Sequence, residues 1–274
     1  FFLPHVPCYA TQKWFDLYPD DDSVLPEILR GDRQDTPRFS WYLHWYLPEV
    51  RLKFLEEQNE WRNLVRSYLA CTSFVDSQVG RVLDALKRNG LEDNTIVVVS
   101  ADHGEELLEH GVIGHVSTFK EGSLSEEVIR IPLIFWAPGR LPAGLVIDDE
   151  IVQAIDIMPT LLDLAGLPIP DHVDQLSLVG EQERSHLYGE HGEGTAAMRM
   201  IRSGRHKLIY YPVGNRRQLF DIEADPRECD DLAGEPAHGA VLAELEKLLV
   251  GELYGADHAR FTRKWMQYDP EPPY

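Results

Sequence analysis

Residues 94–111 read "NTIVVVSADHGEELLEHG". The first part is a short β-branched run with no alternation of polar and apolar residues, as expected of a parallel strand covered on both faces. The second part sets Asp102 and His103 directly beyond the end of that strand. Ligands of open α/β sheets bind beyond the carboxyl ends of the strands, so this is where chemistry is expected. Upstream, Leu64, Tyr68, Cys71, Val75, Val79, Val82 and Leu86 recur at intervals of three and four, the signature of one face of a long helix. "RNGLEDN" stops that helix, with Gly90 suited to the positive φ of a C-cap. Helix, glycine turn and buried strand together predict α/β architecture.

Downstream, "IPLIFWAPG" at 131–139 reads as a second buried strand beside the first. "DIMPTLLDLAGLP" at 156–168 predicts a short helix with Asp156 as N-cap, Pro159 in its first turn and Gly166 and Pro168 as stop signals. After residue 170 the texture changes. "MRMIRSGRHKLIYYP" predicts two strands about a tight turn and "QLFDIEADP" an edge strand. A last helix carries Val241, Leu242, Leu245, Leu248 and Leu249 on one side, to pack on this small antiparallel sheet. Two parts are therefore expected, residues 1–170 and 171–274, with the turn-rich "LPIPDHVDQ" near their boundary.

The 274 residues carry 46 acidic against 26 basic side chains, a formal charge of −20, which disfavours nucleic acid and anionic membrane surfaces as partners. No run approaches the roughly 18 apolar residues of a membrane helix, so a soluble protein is expected; its compartment is left open. Cys8, Cys71 and Cys229 are odd in number and far apart, which fits neither a disulfide framework nor a thiolate metal site. The chain starts "FFLPHVPCYATQKWF", which reads like the middle of a domain, so a fragment is expected.

Asp102 offers a carboxylate and His103 an imidazole, both suited to a divalent cation, and Gly104 allows close backbone approach. Two adjacent ligands do not complete a coordination sphere, so others must come from elsewhere. The competing reading makes Asp102 a helix N-cap and "EELLEH" the solvated first turns of that helix. Read from the residues alone, both stand. His5 lies in "PHVP", where Pro4 and Pro7 fix an extended backbone and present one imidazole stiffly.

"DNTIVVVSADHGEELLEHG", "EEVIRIPLIFWAPG", "DIMPTLLDLAGLP" and "RMIRSGRHKLIYYPVGNRRQLFDIEADPRECDDLA" occur in that order, preceded by "PHVP" and "YLACTSFVDSQVGRVLDAL". Together they resemble the carboxyl-terminal half of sulfatases of the alkaline phosphatase superfamily, bacterial arylsulfatase-like members above all. The resemblance implies a mixed or parallel sheet flanked by helices, with a small C-terminal antiparallel sheet plus helix. It implies that Asp102 and His103 are metal ligands, for Ca2+ in the first place, with Mg2+, Mn2+ or Zn2+ as alternatives. It implies that His5 protonates the leaving group and that His115 or Lys120, both in "EHGVIGHVSTFKEG", takes the cationic role at the bridging oxygen. Glu105, Glu106, Glu109 and His110 are expected on a solvated helix face or behind the ligands, and His191, in the loop "YGEHGEG", outside direct catalysis.

In sulfatases of this kind the nucleophile is a formylglycine in a Cys-x-Pro-Ser-Arg type signature, and paired aspartates before it complete the metal site. None of the three cysteines stands in such a signature, and the acids of "YPDDDS" follow "PHVP". The resemblance therefore implies the later half of a longer enzyme, inactive by itself, acting on a sulfated small molecule or sulfated carbohydrate. A phosphodiesterase or phosphonate monoester hydrolase of the same superfamily, or a non-catalytic remnant, are the alternatives. "RFSWYLHWYLPEVR" at 38–51 fits a pocket lining or a core equally well.

Overall fold

The computed structural model describes residues 1–5, 7–25, 61–107, 109, 113–115, 124–147, 152–173, 175–180, 184–192 and 197–254. In chain order its elements are α1 (Gln12–Phe15), α2 (Trp61–Arg88), β1 (Val97–Ser100), β2 (Glu106–Leu107), β3 (Ile113–Gly114), α3 (Glu126–Ile129) and β4 (Leu133–Trp136). They continue with α4 (Ile157–Leu164), β5 (Leu187–His191), β6 (Met198–Ser203), β7 (His206–Tyr211), β8 (Arg216–Asp221) and α5 (Gly239–Tyr254). These elements divide between two compact units. One comprises Phe1–Thr95, Glu105–Gly114 and Ala137–Gly139; the other Ile96–Gly104, His115–Trp136 and Arg140–Tyr274. No described helix is long and apolar enough to cross a membrane. Lys120, His110 and the aromatic stretch 38–51 lie outside the described residues.

The first unit is organised by α2, whose predicted apolar face is confirmed as one 28-residue helix. It ends as the sequence prescribes. Gly90 takes φ 65°, its N–H donates to Lys87 O, and the N–H of Leu91 donates to Leu86 O, the pair of bonds that satisfies a helix's last carbonyls. Only the first half of α2 is buried deeply, through Val65, Ala70 and Cys71, while Val82 on the same face is exposed. Val65 packs with Leu25, Trp61, Leu64 and Leu107. Arg66 ties residues 15–20 to the helix: its guanidinium lies 4.0 Å from the Phe15 ring, donates to Tyr18 O and pairs with Asp20 at 3.2 Å. The Cys8 thiol donates to Pro4 O at 3.1 Å, and the Cys71 thiol, 63 positions on, is close enough to act on it, so the wide sequence spacing of the cysteines does not describe their placement. Burial, with the nearby Cys71 and Glu105, pushes the Cys8 thiol up to about 11, so neither thiol is primed as a thiolate.

In the second unit, β1 and β4 are neighbours as expected, but they run antiparallel, with Val97 opposite Trp136 and Ser100 opposite Leu133. The expectation of a parallel strand is corrected. An unbroken β-branched run reports side-chain environment and is silent about strand direction. The faces are also less covered than that run implied, since Val97–Val99 are half-buried and Ile134 is exposed.

The C-terminal sheet has the order β5-β6-β7-β8, every pair antiparallel. β6, the tight turn at Gly204, β7 and the edge strand β8 follow the sequence pattern. β5 does not, because "YGEHGEG" was read as loop and its first four residues belong to a strand. Glycine at three of seven positions hides the alternation that marks a strand. One face of this sheet packs Ile201, Leu208, Tyr210 and Leu219 against Leu245 and Leu249 of α5, all essentially fully buried. On the opposite face β7 presents Lys207, which has no exposed surface.

Helix α4 starts and stops where expected, with Gly166 at φ 71°, but Asp156 does not cap it with its side chain. The buried carboxylate accepts from the Gln153 and Leu176 N–H groups and takes a two-pronged bond from Arg184 at 2.6 and 2.7 Å. A residue-level pattern shows only that an aspartate precedes a helix; the arginine 28 positions later is invisible to it. Burial alone pushes the Asp156 carboxyl up, and the Arg184 and backbone bonds outweigh it, leaving the group below its ordinary value.

Two outcomes follow for stability. Leu249→Ala removes a fully buried anchor of the sheet and helix and is expected to cost about 2–5 kcal/mol in denaturant unfolding. Because the Asp156 value is lowered in the fold, its contribution is complete at neutral pH and is lost as pH falls below the ordinary 3.8. Asp156→Asn should therefore narrow the stability difference between about pH 7 and about pH 3, measured by chemical denaturation at the two values.

Candidate metal centre

The loop leaving β1 carries the two residues singled out from sequence. Among the described residues no helix follows it: Glu106 and Leu107 form β2, paired with β3, so Asp102 is not a helix cap and Glu106 is not on a solvated helix face. Glu106 is completely buried instead of solvated. The N–H of Leu107 donates to Glu109 Oε2 at 2.6 Å.

Asp102 and His103 bring a carboxylate and an imidazole close together. His103 Nδ1 lies 2.9 Å from the carbonyl of Gly104, which fixes the Nδ1–H tautomer and leaves the Nε2 lone pair available. That Nε2 is 3.6 Å from Asp102 Oδ2. The Asp102 side chain is 89% exposed, so the carboxylate is hydrated and accessible to a cation without rearrangement of the core. The Asp102 carboxyl lies below its ordinary value, chiefly through the hydrogen bond from its own backbone N–H, with the His103 and His115 imidazoles adding to it. It is therefore anionic throughout the neutral range. The His115 ring stacks on that of His103 with centroids 3.7 Å apart, so the second histidine singled out from sequence is brought to the first.

Gly104 explains why the loop lies where it does. Its N–H donates to Val128 O at 2.7 Å, and a Cβ at this position would stand 2.0 Å from Glu127 O. No side chain fits there. The backbone of residue 104 therefore seats directly on the α3 turn, in the way glycine permits and nothing else does.

His191, expected outside the chemistry, sits at the end of β5 within the influence of His115. Burial, and then the His115 imidazole, hold it below the ordinary histidine value. A histidine in a glycine-rich stretch gave no sequence signal for this placement. His5, in the other unit, is half-buried with its ring 4.8 Å from that of Phe2. Its N–H donates to Phe2 O, so residues 2–5 form a turn, while Val6, between the two prolines, lies outside the described residues.

With this geometry in place, comparison with known proteins is decisive. A sulfatase family model matches residues 4–167. The chain belongs to the sulfatase family. A second model, N-sulphoglucosamine sulphohydrolase, C-terminal, matches residues 114–253. The sulfatase chain is 31% identical over 268 residues to an arylsulfatase of Clostridium perfringens, covering 94% of itself and 53% of that protein. A solved 2-O GAG sulfatase superposes with a TM-score of 0.68 at 26% identity, over 96% of this chain and 57% of the other. The phosphonate monoester hydrolase of Agrobacterium radiobacter superposes with a TM-score of 0.61 at 28% identity, over 71% and 42%. The chain spans about half the length of the curated relatives it matches. The alkaline phosphatase-like α/β class read from sequence is thereby borne out.

Gly104→Ala is expected to push the loop off the α3 turn and to cost about 1–3 kcal/mol, read as a lowered denaturation midpoint. A variant as stable as the parent would show that the close approach at residue 104 is dispensable.

Proposed function

We propose that this chain contributes the metal pair of an enzyme that hydrolyses sulfate esters. The observation that carries the reading is the Asp102–His103 arrangement: a solvated carboxylate and a tautomer-fixed imidazole with donor atoms 3.6 Å apart. A carboxylate oxygen beside one imidazole suits a hard divalent cation, with calcium first and magnesium, manganese or zinc as alternatives. When bound, the cation and the family's formylglycine supply charge neutralisation at a sulfate oxygen and a nucleophile for sulfur. Asp102 and His103 hold their side of the ion. His5 donates a proton to the departing alcohol oxygen, a role supported by its half-buried ring packed on Phe2. His115, stacked on His103, donates at the bridging oxygen in preference to Lys120. Residues 1–170 are assigned to the catalytic α/β part and 171–274 to a C-terminal subdomain; the end of the sulfatase match at 167 and the start of the four-stranded sheet at Leu187 support this division.

The substrate class is a sulfated small molecule or carbohydrate, supported by relatives such as the Delta 4,5-hexuronate-2-O-sulfatase of Bacteroides thetaiotaomicron, 34% identical over 205 residues. The second reading, a phosphonate monoester hydrolase, is favoured by one observation, the superposition on the Agrobacterium enzyme.

Asp102→Ala is expected to remove calcium binding, followed by calorimetric titration, and to abolish aryl sulfate hydrolysis by the whole protein while the unfolding midpoint stays within error. Normal turnover in this variant would refute the assignment. Rates on an aryl sulfate and an aryl phosphonate monoester separate the two readings, the first being expected to exceed the second.

A further inference from the structure

Lys207 is buried completely within the C-terminal sheet, yet it is not a local stabiliser of that sheet alone. Its Nζ lies 3.0 Å from Glu126 Oε1 and 2.7 Å from Glu228 Oε1, partners that are 81 and 21 positions away in sequence. The second oxygen of Glu228 accepts the N–H of Glu126 at 2.8 Å, and Arg202 reaches Glu126 Oε2 at 3.6 Å. Glu228 is held in the left-handed region, at φ 51°, which a glutamate adopts only where its surroundings impose it.

Three of these four contacts fall on Glu126 in α3, a single turn of four residues. A helix of that length has no stability of its own. It is fixed from one side by Lys207 and Glu228, and on its other end it offers Val128 O to the Gly104 N–H and Glu127 O to the space where a Cβ would be. Gly104 in turn gives its carbonyl to His103 Nδ1. The sequence of contacts is unbroken from β7 to the imidazole.

We propose that Lys207 and Glu228 are positioning residues for the Asp102–His103 pair, acting through the α3 turn and Gly104. As a statement about the site's chemistry this rests on the sulfatase reading above; as a statement about the loop it does not. Ion pairs buried this deeply depend on every member, because removal of one leaves an uncompensated charge. The displacement is then transmitted to the element the cluster grips, and α3 is the shortest and least self-sufficient of those elements.

The test is Lys207→Met in the full chain, read by amide hydrogen exchange and by the 15N shifts of His103. The expected result is Gly104 exchange faster by about tenfold or more, with loss of the Nδ1–H tautomer of His103, while the Leu208 and Leu219 amides of the sheet keep their protection. Lys207→Arg should restore part of the Gly104 protection. Leu249→Ala, which loosens the opposite face of the same sheet, should speed the sheet amides without a selective effect at Gly104. If Lys207→Met leaves Gly104 unchanged, or speeds it no more than the sheet, the positioning role is overturned. Should Lys207→Met fail to fold, Glu228→Gln keeps the side-chain shape and the bond from Glu126 N–H, and the same comparison of Gly104 with Leu208 and Leu219 decides the matter. Calcium titration of the whole protein, in which the remaining ligands are present, is read separately: absence of binding there would sink the metal reading and leave the exchange result to judge the positioning role.

Discussion

The contact between Gly104 and the α3 turn is the constraint on which the rest of the site depends. A strand can deliver a loop to the correct end of a sheet, but it cannot by itself fix the direction in which two successive side chains leave that loop. Here direction is fixed by backbone meeting backbone, with the Gly104 N–H on Val128 O and no room for a Cβ above Glu127 O. The carbonyl of the same residue then orients the neighbouring imidazole. One glycine thus controls both the path of the chain and the tautomer of the neighbouring imidazole.

The second unit distributes its charged and apolar groups according to that requirement. The sheet β5 to β8 uses one face for an ordinary apolar contact with α5, where Leu245 and Leu249 sit four residues apart on the helix and meet Leu208 and Leu219. Its other face carries a buried ammonium between two carboxylates. A purely apolar face would have packed at lower electrostatic cost. It would not have specified the place of a four-residue turn, which needs directional bonds because it has too few side chains to be located by packing.

How much of this was legible in the sequence depends on how far apart the cooperating residues lie. Local signals were sufficient for α2, whose apolar spacing and Gly90 stop are contained within one segment, and for β6 and β7 about Gly204. They were sufficient also to place Asp102 and His103 beyond a strand. They failed where the decisive partner is distant. Asp156 looks like a cap until Arg184 is seen beside it, and the direction of β1 is set by β4, more than 30 residues on. "EELLEH" has the composition of a helical first turn, yet Glu106 is enclosed within the fold and pairs as strand. His191 lay in a segment whose glycines mask its strand character, so its approach to His115 had no periodic signature.

The solvated state of the Asp102 side chain, on a chain of net charge −20, has a kinetic consequence. On the proposed metal reading, a cation approaching this loop would be drawn by a diffuse anionic atmosphere, with the exposed Asp102 carboxylate and the His103 imidazole as the groups that would hold it. Capture of this kind is governed by counter-ion screening, with a Debye length of about 8 Å at physiological ionic strength. Monovalent salt would therefore compete for the same field that gathers a divalent ion, and occupancy of the proposed site would depend on the electrolyte as well as on the two side chains.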